Sequence, residues 1–165
     1  MVLKNTTVYN KDTVHEMIGK ISKPVYMYFG GISAAAIAAA LVFSLINFWS
    51  YGVYVAVVAV VVTGMSVYEM ITRPKAIEKS MIKGIKSRHN ADSYETLYEI
   101  SEKSIAGTTD ISHTDYKNSD IKRIEETENL FVITYTGKTY GVIAKKGFTV
   151  GTAEDFRKMF GSLIK

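Results

Sequence analysis

The chain has 165 residues, 47% of them hydrophobic and 22% charged, with a formal charge of +4. That length leaves room for a membrane hairpin and one modest soluble domain. The absence of cysteine excludes disulfides and thiolate chemistry and fits a reducing compartment.

Residues 2–9 (VLKNTTVY) are rich in β-branched types and predict a strand. Thr13-Val14-His15-Glu16 has the form of a T-x-x-E capping box. In such a box the threonine oxygen accepts from an orphan amide and the glutamate reaches back to the cap. Val14, Met17, Ile18 and Ile21 then recur at helical spacing, predicting a short amphipathic helix with His15 off its apolar stripe. Pro24 suits the first turn of a new helix, where its missing amide costs nothing.

Residues 24–68 contain no charged side chain. An apolar helix needs about 20 residues to cross a bilayer, so the stretch is long enough for two crossings. The expected element is a transmembrane hairpin over 24–72, with spans near 25–48 and 51–71 and a turn near Asn47–Gly52. Tyr26, Tyr28, Phe29, Phe48, Trp49, Tyr51, Tyr54 and Tyr68 mark its ends, where aromatic rings favour the headgroup layer. Gly31, Ala35 and Ala39 in the first span, and Gly52 with Ala56 in the second, are small enough for close helix packing. They predict contact between the two spans or, on the sharper reading, a homodimer or partner helix. Lys4, Lys11, Lys20 and Lys23 precede the hairpin; Arg73, Lys75, Lys79, Lys83, Lys86 and Arg88 follow it. Positive flanks stay inside, which places both termini in the cytoplasm and accounts for the basic stretches without nucleic acid.

Thr72-Arg73-Pro74 is expected to break or kink the helix. Residues 73–90 then form a basic connector. Its Lys75, Lys79, Lys83, Lys86 and Arg88 are candidate contacts for anionic headgroups, worth about 1 kcal/mol each. From residue 91 short alternating segments predict five or six strands in one meandering antiparallel sheet. Tyr94, Thr96, Tyr98 and Ile100 share one face, and a hairpin loop falls at Thr136-Gly137-Lys138. Thr152 and Asp155 open a final helix whose Phe156, Met159, Phe160, Leu163 and Ile164 form an apolar stripe. The fold class read from this order is a two-helix membrane hairpin plus an α+β domain over 91–165. That domain is a roll of pleckstrin-homology-like type with a C-terminal capping helix. Residues 1–23 are placed to join its sheet, which makes the hairpin an insertion.

Tyr116, the Asp120-Ile121 step, Glu126-Thr127, Lys145-Lys146-x-Phe148, and Phe156 with Met159 together resemble the YcxB-like family of small bacterial membrane proteins. Tyr116 stands where relatives often have tryptophan. The resemblance implies two spans followed by a pleckstrin-homology-like cytoplasmic module at the cell membrane. It implies no settled activity and no catalytic residues.

No catalytic constellation is evident. Ser112, His113 and Asp115 are neighbours on one segment, where adjacent side chains point to opposite faces, so they do not make a triad. Asp110, Asp115 and Asp120 match no calcium-loop spacing. Lys145-Lys146-Gly147 at a strand end is compatible with a phosphate contact. The expectation is a non-enzymatic, membrane-anchored binding or adaptor module that needs no cofactor or metal. Its partner would dock on an exposed sheet edge or in the groove beside the last helix. The alternatives are an immunity protein against a bacteriocin or toxin, and an inner-leaflet lipid or envelope-stress sensor.

Overall fold

A computed structural model of the protein describes residues 2–45, 49–137 and 139–164. In chain order it contains β1 (Leu3–Tyr9), α1 (Lys11–Ile21), α2 (Lys23–Leu45), α3 (Trp49–His89), β2 (Tyr94–Ile100), β3 (Ser104–Thr108) and β4 (His113–Lys117). β5 (Ile121–Glu126), β6 (Leu130–Tyr135), β7 (Tyr140–Ala144), β8 (Phe148–Val150) and α4 (Ala153–Phe160) complete it. The chain divides into two compact units. One is residues Ile21–Ile77; the other combines the residues up to Lys20 with those from Glu78 onward.

The Ile21–Ile77 unit consists of α2 and most of α3. Lys23–Phe43 and the part of α3 that begins at Gly52 are long and apolar enough to cross a membrane. At 1.5 Å rise per residue, a 21-residue helix is about 31 Å long, close to the roughly 30 Å of a hydrocarbon core. Gly52, Ala59 and Ser66 are buried at seven-residue intervals, and the Arg73 guanidinium lies 5.3 Å from the Phe29 ring centre. Gly31, Ala35, Ala39 and Ala56 are exposed. In the second span Gly52 is thus buried and Ala56 is not, while the first helix turns its Gly31-Ala35-Ala39 row outward. Asn47 and Phe48 of the expected turn lie outside the described residues.

Pro74 does not end the helix, which runs unbroken from Trp49 to His89. A proline removes one helical amide. The adjacent turn is held by the Glu69–Arg73 ion pair and by the Thr72 hydroxyl, which donates to the Tyr68 carbonyl at 2.8 Å. The expected connector over 73–90 is thus the continuation of the second apolar helix.

In the other unit the expected single meander is two sheets, ordered β4-β3-β2-β1-β8 and β5-β6-β7. The chain leaves the first after β4 through a 3-10 turn, Asn118–Asp120. The short strand β8, unread in the sequence, pairs with β1. β1 also pairs along its full length with β2, from Leu3 opposite Ile100 to Tyr9 opposite Tyr94. Those strands are adjacent in the sheet although α1, α2 and α3 separate them in the chain.

The main core gathers Leu3, Ile100, Ile105, Ile124, Phe131, Ile133, Ile143, Phe156 and Phe160. Alternation along β6 and β7 puts Leu130, Val132 and Val142 on the opposite face, where they are also buried. α1 buries Val14, Met17 and Ile18 and is tied to the β5–β6 turn by Glu16, which accepts from the Asn129 amide at 2.9 Å. Glu16 is therefore not part of a capping box. The cap of α1 is Asn10, whose Oδ1 accepts from the Thr13 amide, and the Thr13 hydroxyl donates to the Val8 carbonyl. α4 starts as expected, with Thr152 accepting from the Asp155 amide. It ends at Phe160, because Leu163 and Ile164 leave the helix to pair with Ile124 of β5. Lys138 of the β6–β7 loop lies outside the described residues.

A polar seam joins the sheets. Successive inward side chains of β1 bond to the free edge of β7. The Asn5 Nδ2 donates to the Ala144 carbonyl at 2.8 Å, the Thr7 hydroxyl accepts from the Ala144 amide at 2.8 Å, and the Tyr9 hydroxyl accepts from the Val142 amide at 3.0 Å. Thr7 donates in turn to the Asn5 Oδ1. Gly147 lets the chain after β7 approach β1: a Cβ there would sit 2.1 Å from the Thr6 carbonyl oxygen.

Candidate functional site

α3 ends at His89, followed by Asn90 in the left-handed region at φ 48°, which turns the chain into β2. The turn lays the His89 ring on Tyr94, with centroids 4.1 Å apart, and Tyr94 lies in turn on Tyr9 at 4.9 Å. His89 Nδ1 is 2.6 Å from Asp110 Oδ1. Beneath the stack the Tyr9 and Tyr98 hydroxyls are 3.0 Å apart. On one side of the stack a cavity of about 280 Å³ is lined by Val14, Met81, Ile85, Ser80 and Arg88; on the other a shallower groove of about 370 Å³ meets Leu97, Thr108 and Asp110. Burial, with Tyr98 nearby, pushes the Tyr94 hydroxyl up to about 12, against the opposing pull of the Arg88 cation. The Tyr94 hydroxyl thus keeps its proton at physiological pH. The polar margin of the stack is set by Arg88 and Ser80 on one side and by Asp110 on the other.

A second polar cluster joins α4 to the sheet. Glu126 at the end of β5 accepts from Arg157 through Nε at 3.1 and 3.2 Å and Nη2 at 2.6 Å, and from Lys145 Nζ at 2.6 Å. Both cations lie over the Phe131 ring, at 5.6 and 5.5 Å. Lys145 is therefore held by Glu126 and the Thr127 carbonyl rather than presented to a phosphate, while Lys146 is exposed. The Arg157 hydrogen bonds, then Lys145, hold the Glu126 carboxyl down to about 2. A depressed carboxylate stabilises the fold above its unfolded value, near 4.5, and loses that contribution as pH falls toward 2. Replacing Glu126 with glutamine should flatten the acid limb of unfolding between those values while lowering stability at neutral pH. Denaturant midpoints of the two chains at pH 7 and pH 3 should differ more at pH 7.

The basic residues read as headgroup contacts do not share one face. Lys79, Lys83 and Lys86 are exposed and fall within roughly 60° around the helix axis, with Arg88 roughly 140–180° away at 100° per residue. Arg88 lines the cavity instead. Lys86 is 3.3 Å from Asp92. Lys75, also exposed, belongs to the other unit. Ser112, His113 and Asp115 do not converge: His113 Nδ1 lies 2.8 Å from the Thr108 hydroxyl, and Ser112 bonds to Thr109. Among the described residues no group of three or more His, Asp or Glu is arranged to hold a metal ion.

The aromatic stack escaped sequence reading because His89 and Tyr94 belong to different elements. The one available signal was the register of Tyr9 opposite Tyr94, which requires knowing that β1 pairs with β2.

Residues 100–160 match the family model described as YcxB-like protein. No curated protein and no solved structure matches the chain significantly.

Proposed function

We propose, for a chain whose residues 100–160 form a YcxB-like domain, that it is an integral membrane protein holding a non-enzymatic binding module at the bilayer surface. The observation that carries this reading is the pairing of β1 with β2. The apolar helices lie in the chain between those two strands. A hairpin that crosses the bilayer twice returns the chain to the side from which it left, as the pairing requires; a single crossing would not. The lysines before and after the hairpin favour the cytoplasmic side. The two-sheet arrangement with a terminal helix supports a pleckstrin-homology-like roll, and the corner around Tyr94 offers it a recognition surface. Lys75, Lys79, Lys83 and Lys86 line the helix that leaves the membrane, where anionic headgroups attract them. Single cysteines in this cysteine-free chain test the topology. A membrane-impermeant maleimide added to intact cells should label neither Lys11→Cys nor Glu102→Cys, and should label both after the cells are opened. Labelling of either residue from outside would overturn the reading.

A further inference from the structure

Of the four sheet edges among the described residues, two are covered and a third is only three residues long. The edge of β7 is capped by Asn5, Thr7 and Tyr9, and that of β5 by Leu163 and Ile164. β8 is three residues long and turns at Gly151 toward α4. Short edges and covered edges are how sheets avoid pairing with other chains. β4 remains open.

The amides of Asn118 and Ser112's partner Thr109 fix its orientation: Asn118 donates to the Lys103 carbonyl and Thr109 to the Ser112 carbonyl. Bonded pairs recur at every second residue of an antiparallel ladder. Thr114 and Tyr116 therefore turn their backbone groups toward β3, while His113, Asp115 and Lys117 turn theirs outward. Lys117 precedes the 3-10 turn, and its carbonyl receives the first bond of that turn. His113 and Asp115 keep both groups free.

We propose that β4 joins two copies of this chain, antiparallel, about a twofold axis through Thr114. The register follows from β4 itself. An axis at Asp115 would set two carboxylates opposite each other, which is repulsive. An axis at Tyr116 would need the Lys117 carbonyl that the turn already uses. An axis at Thr114 sets His113 opposite Asp115 of the second copy, twice, and each pair exchanges both backbone bonds. Thr114 then meets Thr114, a favourable cross-strand pair. His113 contacts Thr108 through Nδ1, so Nε2 meets the carboxylate. His113, Thr114 and Asp115 are all exposed in the single chain. The contact is separate from the exposed small-residue row on α2.

The test uses the full-length chain in its membrane. Residues facing each other in a non-bonded pair have Cα atoms about 4.5 Å apart, within the roughly 4.4–6.8 Å range of disulfides. Thr114→Cys should run as a covalent dimer without reductant, and Lys117→Cys, which faces Ile111 in this register, should stay monomeric. Adding Asp115→Arg to Thr114→Cys should abolish the cross-link. A monomeric Thr114→Cys chain, equal cross-linking of the two cysteines, or a dimer indifferent to Asp115→Arg would each overturn the proposal. If the cysteine disturbs the strand, the masses of wild-type and Asp115→Arg chains in mild detergent decide. A wild-type dimer and a monomeric variant support the contact; equal masses overturn it.

Discussion

Replacing Phe156 with alanine should destabilise the β domain by about 3–5 kcal/mol, the usual cost of deleting a buried phenylalanine. Phe156 is fully buried, with Phe131 at 4.6 Å, Phe160 at 4.7 Å and Phe148 at 6.2 Å between ring centres. It is also what keeps α4 in place. A helix of eight residues is far below the length at which helices persist alone in water, so α4 exists because this face is covered. Loosening it should release the Leu163 carbonyl from the Ile124 amide and open the β5 edge. Denaturant unfolding of the full chain in mild detergent, followed by β-sheet circular dichroism, reads the loss of stability. Faster hydrogen exchange at Ile124 reads the opened edge. A loss below about 1 kcal/mol would mean that the helix is held by other contacts, since buried large-to-small changes rarely cost so little.

The second large effect is expected at the seam between the sheets. Asn5→Ala would strand the Ala144 carbonyl and the Thr7 hydroxyl, both bonded to Asn5 in a buried setting. Each orphaned group costs roughly 1–3 kcal/mol. Thr7→Val keeps the volume but strands the Ala144 amide and the Asn5 Oδ1, so it should cost a similar amount. Because the two residues act as one network, the double variant should lose clearly less than the sum of the single losses. Additive losses in the same denaturation experiment would mean that the seam is a set of separate bonds. The effect matters beyond its size. Asn5 precedes the apolar helices in the chain and Ala144 lies far beyond them, so the seam fixes both ends of the insertion to one folded domain.

The parts of this fold legible in the sequence are those set by local pattern. The uncharged run over 24–68 marked two helices long enough to span a bilayer, the period-two alternation of Tyr94, Thr96, Tyr98 and Ile100 marked β2, and Thr152 with Asp155 marked the start of α4. What escaped depends on partners distant in the chain. Glu16 has the spacing of a capping box, but Asn129 takes its carboxylate and Asn10 caps the helix instead. Pro74 reads as a break, yet the bonds around it carry the helix through. Leu163 and Ile164 continue the apolar stripe of α4 in sequence, but the free edge of β5 takes them out of the helix through one backbone bond and an isolated bridge at Ile124. Gly31, Ala35 and Ala39 identify a small-residue row, and sequence alone does not say which way that row faces. The candidate site was the least legible part, since the His89–Tyr94–Tyr9 stack needs the end of α3, the start of β2 and the end of β1 brought to one corner.

The most direct measurement is extraction of membranes with alkaline carbonate, which strips peripheral proteins and leaves those that cross the bilayer. The full chain should remain wholly with the membrane pellet and float with lipid on a density gradient. Its recovery in the carbonate supernatant would contradict the reading of α2 and the first half of α3 as transmembrane helices, and with it the proposal of a membrane-anchored module.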